Sequence, residues 1–138
     1  MIHAVIPDVQ AKPGQDFSFL TAVGEYLVEK KPDRIICLGD FADLPSLSAY
    51  DVCKKSFEGR RYQADIIAAN EAMNALLNPL RKYNTRAFVN KKKQYHPDLL
   101  MFLGNHEHRI ERVVENDPKL EGTISTDQFT YTKRKCYS

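Results

Sequence analysis

Pro32-Asp33-Arg34-Ile35-Ile36-Cys37-Leu38-Gly39-Asp40 is the stretch that decides the fold. Pro-Asp closes whatever precedes it, a short apolar run follows, and a glycine turns the chain onto a carboxylate. An apolar run of this length between turn residues reads as a buried strand. The device occurs a second time, as Pro97-Asp98-Leu99-Leu100-Met101-Phe102-Leu103-Gly104-Asn105. We read this as one structural device used twice, not as a domain repeat.

Working outward, strand-like and helix-like stretches alternate, which predicts an α/β fold with a mostly parallel sheet flanked by helices. Residues 2–6 form a short apolar run closed by Pro7. Residues 17–30 read as a helix with Asp16 as N-cap, because Leu20, Val23, Leu27 and Val28 recur every three or four positions. Residues 62–83 are the longest helix candidate, their stripe running through Ile66, Ala69, Met73, Leu76 and Leu80, with Pro79 expected to end or kink it. A turn over 45–50, a basic loop over 54–61, a weak strand over 86–89, a helix over 107–116 and an edge strand over 129–132 complete the expectation. The division expected is a domain over residues 1–122 and a basic tail, or the start of a further half, over 123–138.

The chain has 138 residues, 43% of them apolar and 28% charged, which suits one compact domain and argues against disorder. No apolar run approaches the roughly 20 residues that span a bilayer, so no membrane partner is expected. Met1-Ile2-His3 lacks the basic start of a signal peptide. Cys37, Cys53 and Cys136 form no CxxC pair and are odd in number, which points to reduced thiols and a cytoplasmic setting. Net charge is +2 but uneven: residues 1–80 carry 8 basic against 11 acidic side chains, and residues 81–138 carry the excess of cations. Runs such as Lys91-Lys92-Lys93 and Lys133-Arg134-Lys135 attract nucleic acid without sequence preference, although a solvated loop and tail is the commoner explanation. Tyr131 and Tyr137 beside basic residues suggest stacking on bases, with chance placement again the commoner reading.

The chemistry sits at the strand ends. The three apolar runs lead to Asp8, Asp40 and Asn105. In an open α/β sheet ligands bind beyond the carboxyl ends of the strands, so parallel strands would bring these side chains to one crevice. They are hard oxygen donors, suited to Mn or Mg, and histidines would shift the preference toward Zn or Fe. A carboxylate such as Asp40 can bridge two cations, the clamp used for hydrolysis of phosphoryl esters. His106 follows Asn105 and suits a general acid, with Asp43 near enough in a tight turn to orient its imidazole. Arg109 and Arg112 read as a solvated helix face, and His108 as a helix-surface residue.

Gly39-Asp40-Phe41-Ala42-Asp43 resembles the GDxxD motif of calcineurin-like metallophosphoesterases, and Gly104-Asn105-His106-Glu107 matches their GNH[DE] motif. Asp8-Val9-Gln10 stands where that superfamily has D-x-H. The wording around Ser46-Leu47-Ser48 and Phe57-Glu58-Gly59-Arg60-Arg61 is similar to the bacteriophage-encoded branch. The resemblance covers residues 2–116.

The resemblance implies two divalent metal ions, manganese first, with magnesium, zinc or iron as alternatives. Asp8 and Gln10 would serve the first metal, Asp40 both and Asn105 the second. His106 would contact the scissile phosphate and protonate the leaving group, with Asp43 behind it. The fold implied is the N-terminal half of an αββα sandwich, and the reaction implied is hydrolysis of a phosphomonoester or phosphodiester, with a nucleotide or nucleic acid as substrate. Gln10 replaces a histidine with a weaker amide donor. No histidine follows His108, where the family has a lone His and a GHxH-like motif. The alternative is therefore an inactive remnant or half-enzyme that needs a complementing segment, with an exposed sheet face that makes it aggregate or form a homodimer.

Overall fold

The computed structural model describes residues 1–47, 59–116, 118–122, 124–133 and 135–137. Four parallel strands, β1 (His3–Ile6), β2 (Arg34–Cys37), β3 (Asp98–Phe102) and β4 (Lys135–Tyr137), lie in the order β1-β2-β3-β4. Helix α1 (Ser18–Lys30) joins β1 to β2, α2 (Gly59–Val89) lies between β2 and β3, and α3 (His108–Asn116) follows β3. Parallel connections are right-handed. Successive steps in one direction across the sheet therefore bring α1 and α2 to the same face, where they pack on each other.

Alternation along the strands sorts the side chains. Ala4, Ile6, Ile35, Cys37, Leu99 and Met101 point into the core, together with Leu20 and Leu27 of α1 and Ala69, Met73 and Leu76 of α2. The opposite face carries Val5, Leu38 and Phe102, which are 52%, 54% and 36% exposed. Register aligns Arg34 with Asp98 and Cys37 with Met101. This is one residue off the match between the two Pro-Asp stretches, which are equal in length.

Several expectations are corrected. Asp16 does not cap α1 in the usual sense; Phe17 is the N-cap residue, and the Asp16 carboxylate accepts from the Ser18 N–H at 2.9 Å. Helix α2 runs through Pro79 and takes in residues 86–89, so there is no strand there. The Pro79 ring lies against Gly24 of α1, where a β-carbon would come within 2.9 Å of it. Packing of this kind outweighs the lost backbone bond. Residues 129–132 are not a strand: Thr130–Lys133 is a 3-10 turn, and β4 comes after it. Tyr131 does not serve nucleic acid. It is 1% exposed, stacked on Phe129 at 5.1 Å and edge-on to Phe41 at 5.3 Å. Residues 48–58 lie outside the described residues, and with them most of the expected basic loop and part of the turn over 45–50. The described remainder is the 3-10 turn Pro45–Leu47 and the start of α2.

Buried groups that must stay neutral make the fold sensitive to alkali. Burial pushes the Cys37 thiol from 9.0 up to about 12, helped by the negative Glu107, and pushes the Tyr62 hydroxyl from 10.0 up to about 12. The folded state holds these protons more tightly than the unfolded chain. Their contribution is therefore complete below about pH 9 and is lost as pH rises toward 12. Urea unfolding followed by circular dichroism should give a midpoint that falls steadily between pH 9 and 11.5. Cys37→Ala should flatten that slope.

Candidate active site

The loops after β1 and β2 are zipped together beyond the sheet. The Gln10 N–H donates to the Asp40 carbonyl at 2.9 Å, Ala11 N–H to Phe41 carbonyl at 2.8 Å, and Asp43 N–H to Ala11 carbonyl at 2.9 Å. These bonds hold a backbone that is otherwise unfavourable. Asp8, Gln10, Asp40 and Leu44 all have left-handed φ, at 37°, 51°, 50° and 54°. Each such residue costs about 1–2 kcal/mol relative to ordinary backbone. Three of the four positions expected to hold metal are thus strained and adjacent at one sheet edge.

Glu107 is the organiser, and the sequence reading gave it no role. It is fully buried. One carboxylate oxygen accepts from Phe41 N–H at 2.7 Å and Ala42 N–H at 3.2 Å. The other accepts from Asp40 N–H at 3.0 Å and Gly104 N–H at 3.1 Å. One side chain from the loop after β3 therefore grips the loop after β2. Burial, the larger effect, holds its carboxyl above the usual range against the downward pull of the N–H donors. The signal available in the sequence was the acidic fourth position of the Gly104–Glu107 motif.

Asp40 and His106 meet across the same junction. The Asp40 Oδ1 accepts from the His106 backbone N–H at 2.9 Å. The His106 Nδ1 lies 2.9 Å from Asp43 Oδ1 and 3.0 Å from the Asp43 carbonyl. Both neighbours are acceptors, so Nδ1 carries the proton. The His106 and Asp43 side chains are about one-fifth exposed, reachable by substrate yet held.

Arg109 and Arg112 are not an idle helix face. The Arg109 Nη1 donates to the Asp43 carbonyl at 2.9 Å, and the Arg112 Nη2 to the Asn105 carbonyl at 2.8 Å. His108 stays at the surface, 3.0 Å from Glu111. A further buried acid, Asp65 of α2, accepts from Ser46 N–H at 3.0 Å and ties the 3-10 turn after Asp43 to the helix. Burial raises its pKa most, and the bonds from Ser46 oppose this.

Asp8, Gln10 and Asn105 are exposed at this edge and Asp40 is half-buried. The donor chemistry fits a hard divalent cation: two carboxylates and two amide oxygens. Gly104 also leaves room for it, since a β-carbon there would sit 2.3 Å from Asp40 Oδ1. Among the described residues no three His, Cys, Asp or Glu side chains converge into a metal cluster.

The family model for calcineurin-like phosphoesterases matches residues 2–134. No curated protein and no solved structure matches the chain.

Proposed function

Because the chain belongs to the calcineurin-like phosphoesterase family, we propose that it is a metal-dependent hydrolase of phosphate esters whose active site is the edge formed by Asp8, Gln10, Asp40, Asp43, Asn105 and His106. The observation that carries this reading is the shared junction: Asp40 binds the backbone of His106 while the imidazole rests on Asp43. Asp8 and Gln10 would hold one divalent cation, Asn105 a second, and Asp40 both, with manganese the first choice. When bound, such cations supply charge stabilisation for the phosphate and the attacking oxygen.

The chain's own residues do the rest. Asp43 keeps the His106 Nδ1 protonated and the ring fixed, so Nε2 presents its proton outward when the imidazole is charged. A leaving alkoxide of the ester takes that proton, which is general acid catalysis worth about 10²–10⁴ in rate. Glu107 keeps Asp40 and His106 in phase by holding both loops. A nucleotide or nucleic acid is the substrate class we propose, and the cytoplasm is the setting.

The test is hydrolysis of a generic phosphodiester by the purified chain with added manganese. Turnover should vanish with chelator, and His106→Gln should lower it about a hundredfold without shifting the melting temperature. A folded chain that never turns over would instead favour the half-enzyme reading. That reading is supported by the exposed sheet face of Val5 and Leu38. Sedimentation would then show a second copy or an added segment on that face.

A further inference from the structure

The far end of α2 has a surface that the phosphoesterase reading does not use. Residues 81–93 run Arg-Lys-Tyr-Asn-Thr-Arg-Ala-Phe-Val-Asn-Lys-Lys-Lys, with six cations and no acid. Arg81, Lys82, Arg86, Lys91, Lys92 and Lys93 are all exposed. None of them takes part in an ion pair among the described residues. Phe88 and Val89 stand among them at 73% and 71% exposure. The helix does not fray here: Lys91 adopts φ 54°, and Lys92 N–H closes on the Ala87 carbonyl at 2.7 Å. That is an ordered left-handed cap at a position where glycine is the usual residue.

A helix dipole accounts for a cation or two in the last turn. It does not account for six, nor for an exposed phenylalanine between them. Only Ala87 of this segment is buried. On the remaining arc, helical spacing interleaves Phe88, Arg81, Val89, Lys82 and Arg86 instead of segregating apolar from basic. A membrane-surface helix needs the segregated pattern. Cations interleaved with an aromatic ring suit a nucleic-acid strand, whose phosphates and bases alternate in the same way. A groove of about 420 Å³ between α1 and α2, lined by Lys82, Tyr83 and Arg86 with Glu25 as its one acid, leads onto this surface. The Lys31 ammonium lies over the Tyr83 ring at 4.6 Å and adds a further cation beside it.

We propose that residues 81–93 form a sequence-independent docking surface for a nucleic-acid strand, separate from the active-site edge. Helix α2 runs against the strands, so its end lies near the start of β3, where Asn84 holds the backbone of Tyr95. Asp8, Asp40 and Asn105 lie at the other end of the sheet. The surface therefore anchors a strand without presenting it directly to the crevice. The proposal stands independently of the phosphoesterase reading, because its readout is binding in the absence of metal.

The experiment is fluorescence anisotropy with a labelled single strand of mixed sequence, in chelator, across a salt series. Lys82→Gln/Arg86→Gln/Lys92→Gln and Phe88→Ala are compared with the parent after melting curves show all three folded. The parent should bind with a dissociation constant of about 10⁻⁶–10⁻⁴ M, weakening steeply with salt. The triple variant should bind at least about tenfold more weakly, with a log–log salt slope shallower by about two. Phe88→Ala should bind about fivefold or more weakly, the loss of one stacked base. Absence of binding at low salt would overturn the proposal, as would variants that bind like the parent. Capture by phosphatidylserine vesicles but not by nucleic acid would overturn it too, in favour of a membrane surface.

Discussion

Gly104→Ala is expected to lower stability by about 3 kcal/mol or more and to abolish turnover. A β-carbon at Gly104 would lie 2.3 Å from Asp40 Oδ1 and 2.5 Å from Asp40 N. Overpacking a core usually costs about 1–3 kcal/mol because side chains give way. Here the obstacle is partly backbone, and that backbone is held: Asp40 N–H donates to Glu107, and Asp40 already has a left-handed φ of 50°. Relief would have to come from parting the loops after β2 and β3. Gly39 meets the same constraint from the other side, since its β-carbon would fall 2.9 Å from both Cα and N of Gly104. Its φ of 102° is also a conformation that other residues rarely adopt. Two glycines thus allow two strand ends to touch, and the candidate active site is built on that contact. Thermal melting and phosphodiester turnover check this together. A Gly104→Ala chain that melts with the parent and retains its rate would show that the loops separate freely.

The parts of this arrangement that were legible in the sequence are those with local spacing. The Pro-Asp entries, the apolar runs and the glycines announced β2 and β3. The residues after those glycines announced a cluster at one sheet edge. Alternation could not give the register, because a short strand rich in apolar residues on both faces looks the same when shifted by one. The observed pairing of Arg34 with Asp98 is such a shift from the match of the two stretches. Residues 86–89 misled for a related reason. Ala-Phe-Val is a strand-like run, yet extending an existing helix adds one backbone bond per residue, whereas a new strand needs an edge to pair with. Tyr131 looked like a tail residue because its partners, Phe41 and Phe129, are specified only by the fold. Glu107 was legible as a motif position and illegible as a clamp. Three of its four donors, Asp40, Phe41 and Ala42, lie on a loop that meets it only in space.

That clamp carries the other large effect. Glu107→Ala should destabilise the chain by about 4 kcal/mol or more, and Glu107→Gln by about 2 kcal/mol or more. A buried N–H left without an acceptor costs about 1–3 kcal/mol, and alanine orphans those of Asp40, Phe41, Ala42 and Gly104. Some relaxation and entering water will keep the total below the simple sum. Glutamine has the right shape and one acceptor oxygen. Whichever way it turns, its amide group faces two N–H donors across the other half of the clamp. The ranking parent, glutamine, alanine therefore separates loss of one oxygen from loss of both. A domain of this size has about 5–15 kcal/mol of stability in total, so the alanine variant should be marginal at 37 °C. Both variants should also lose turnover, because Asp40 and His106 keep their relation only while the loops are held. Urea unfolding gives the free energies directly. If Glu107→Ala unfolded within about 1 kcal/mol of the parent, the four N–H groups would be finding water, and the loops after β2 and β3 would be held by the contacts of Asp40 and Asp43 with His106 and Arg109.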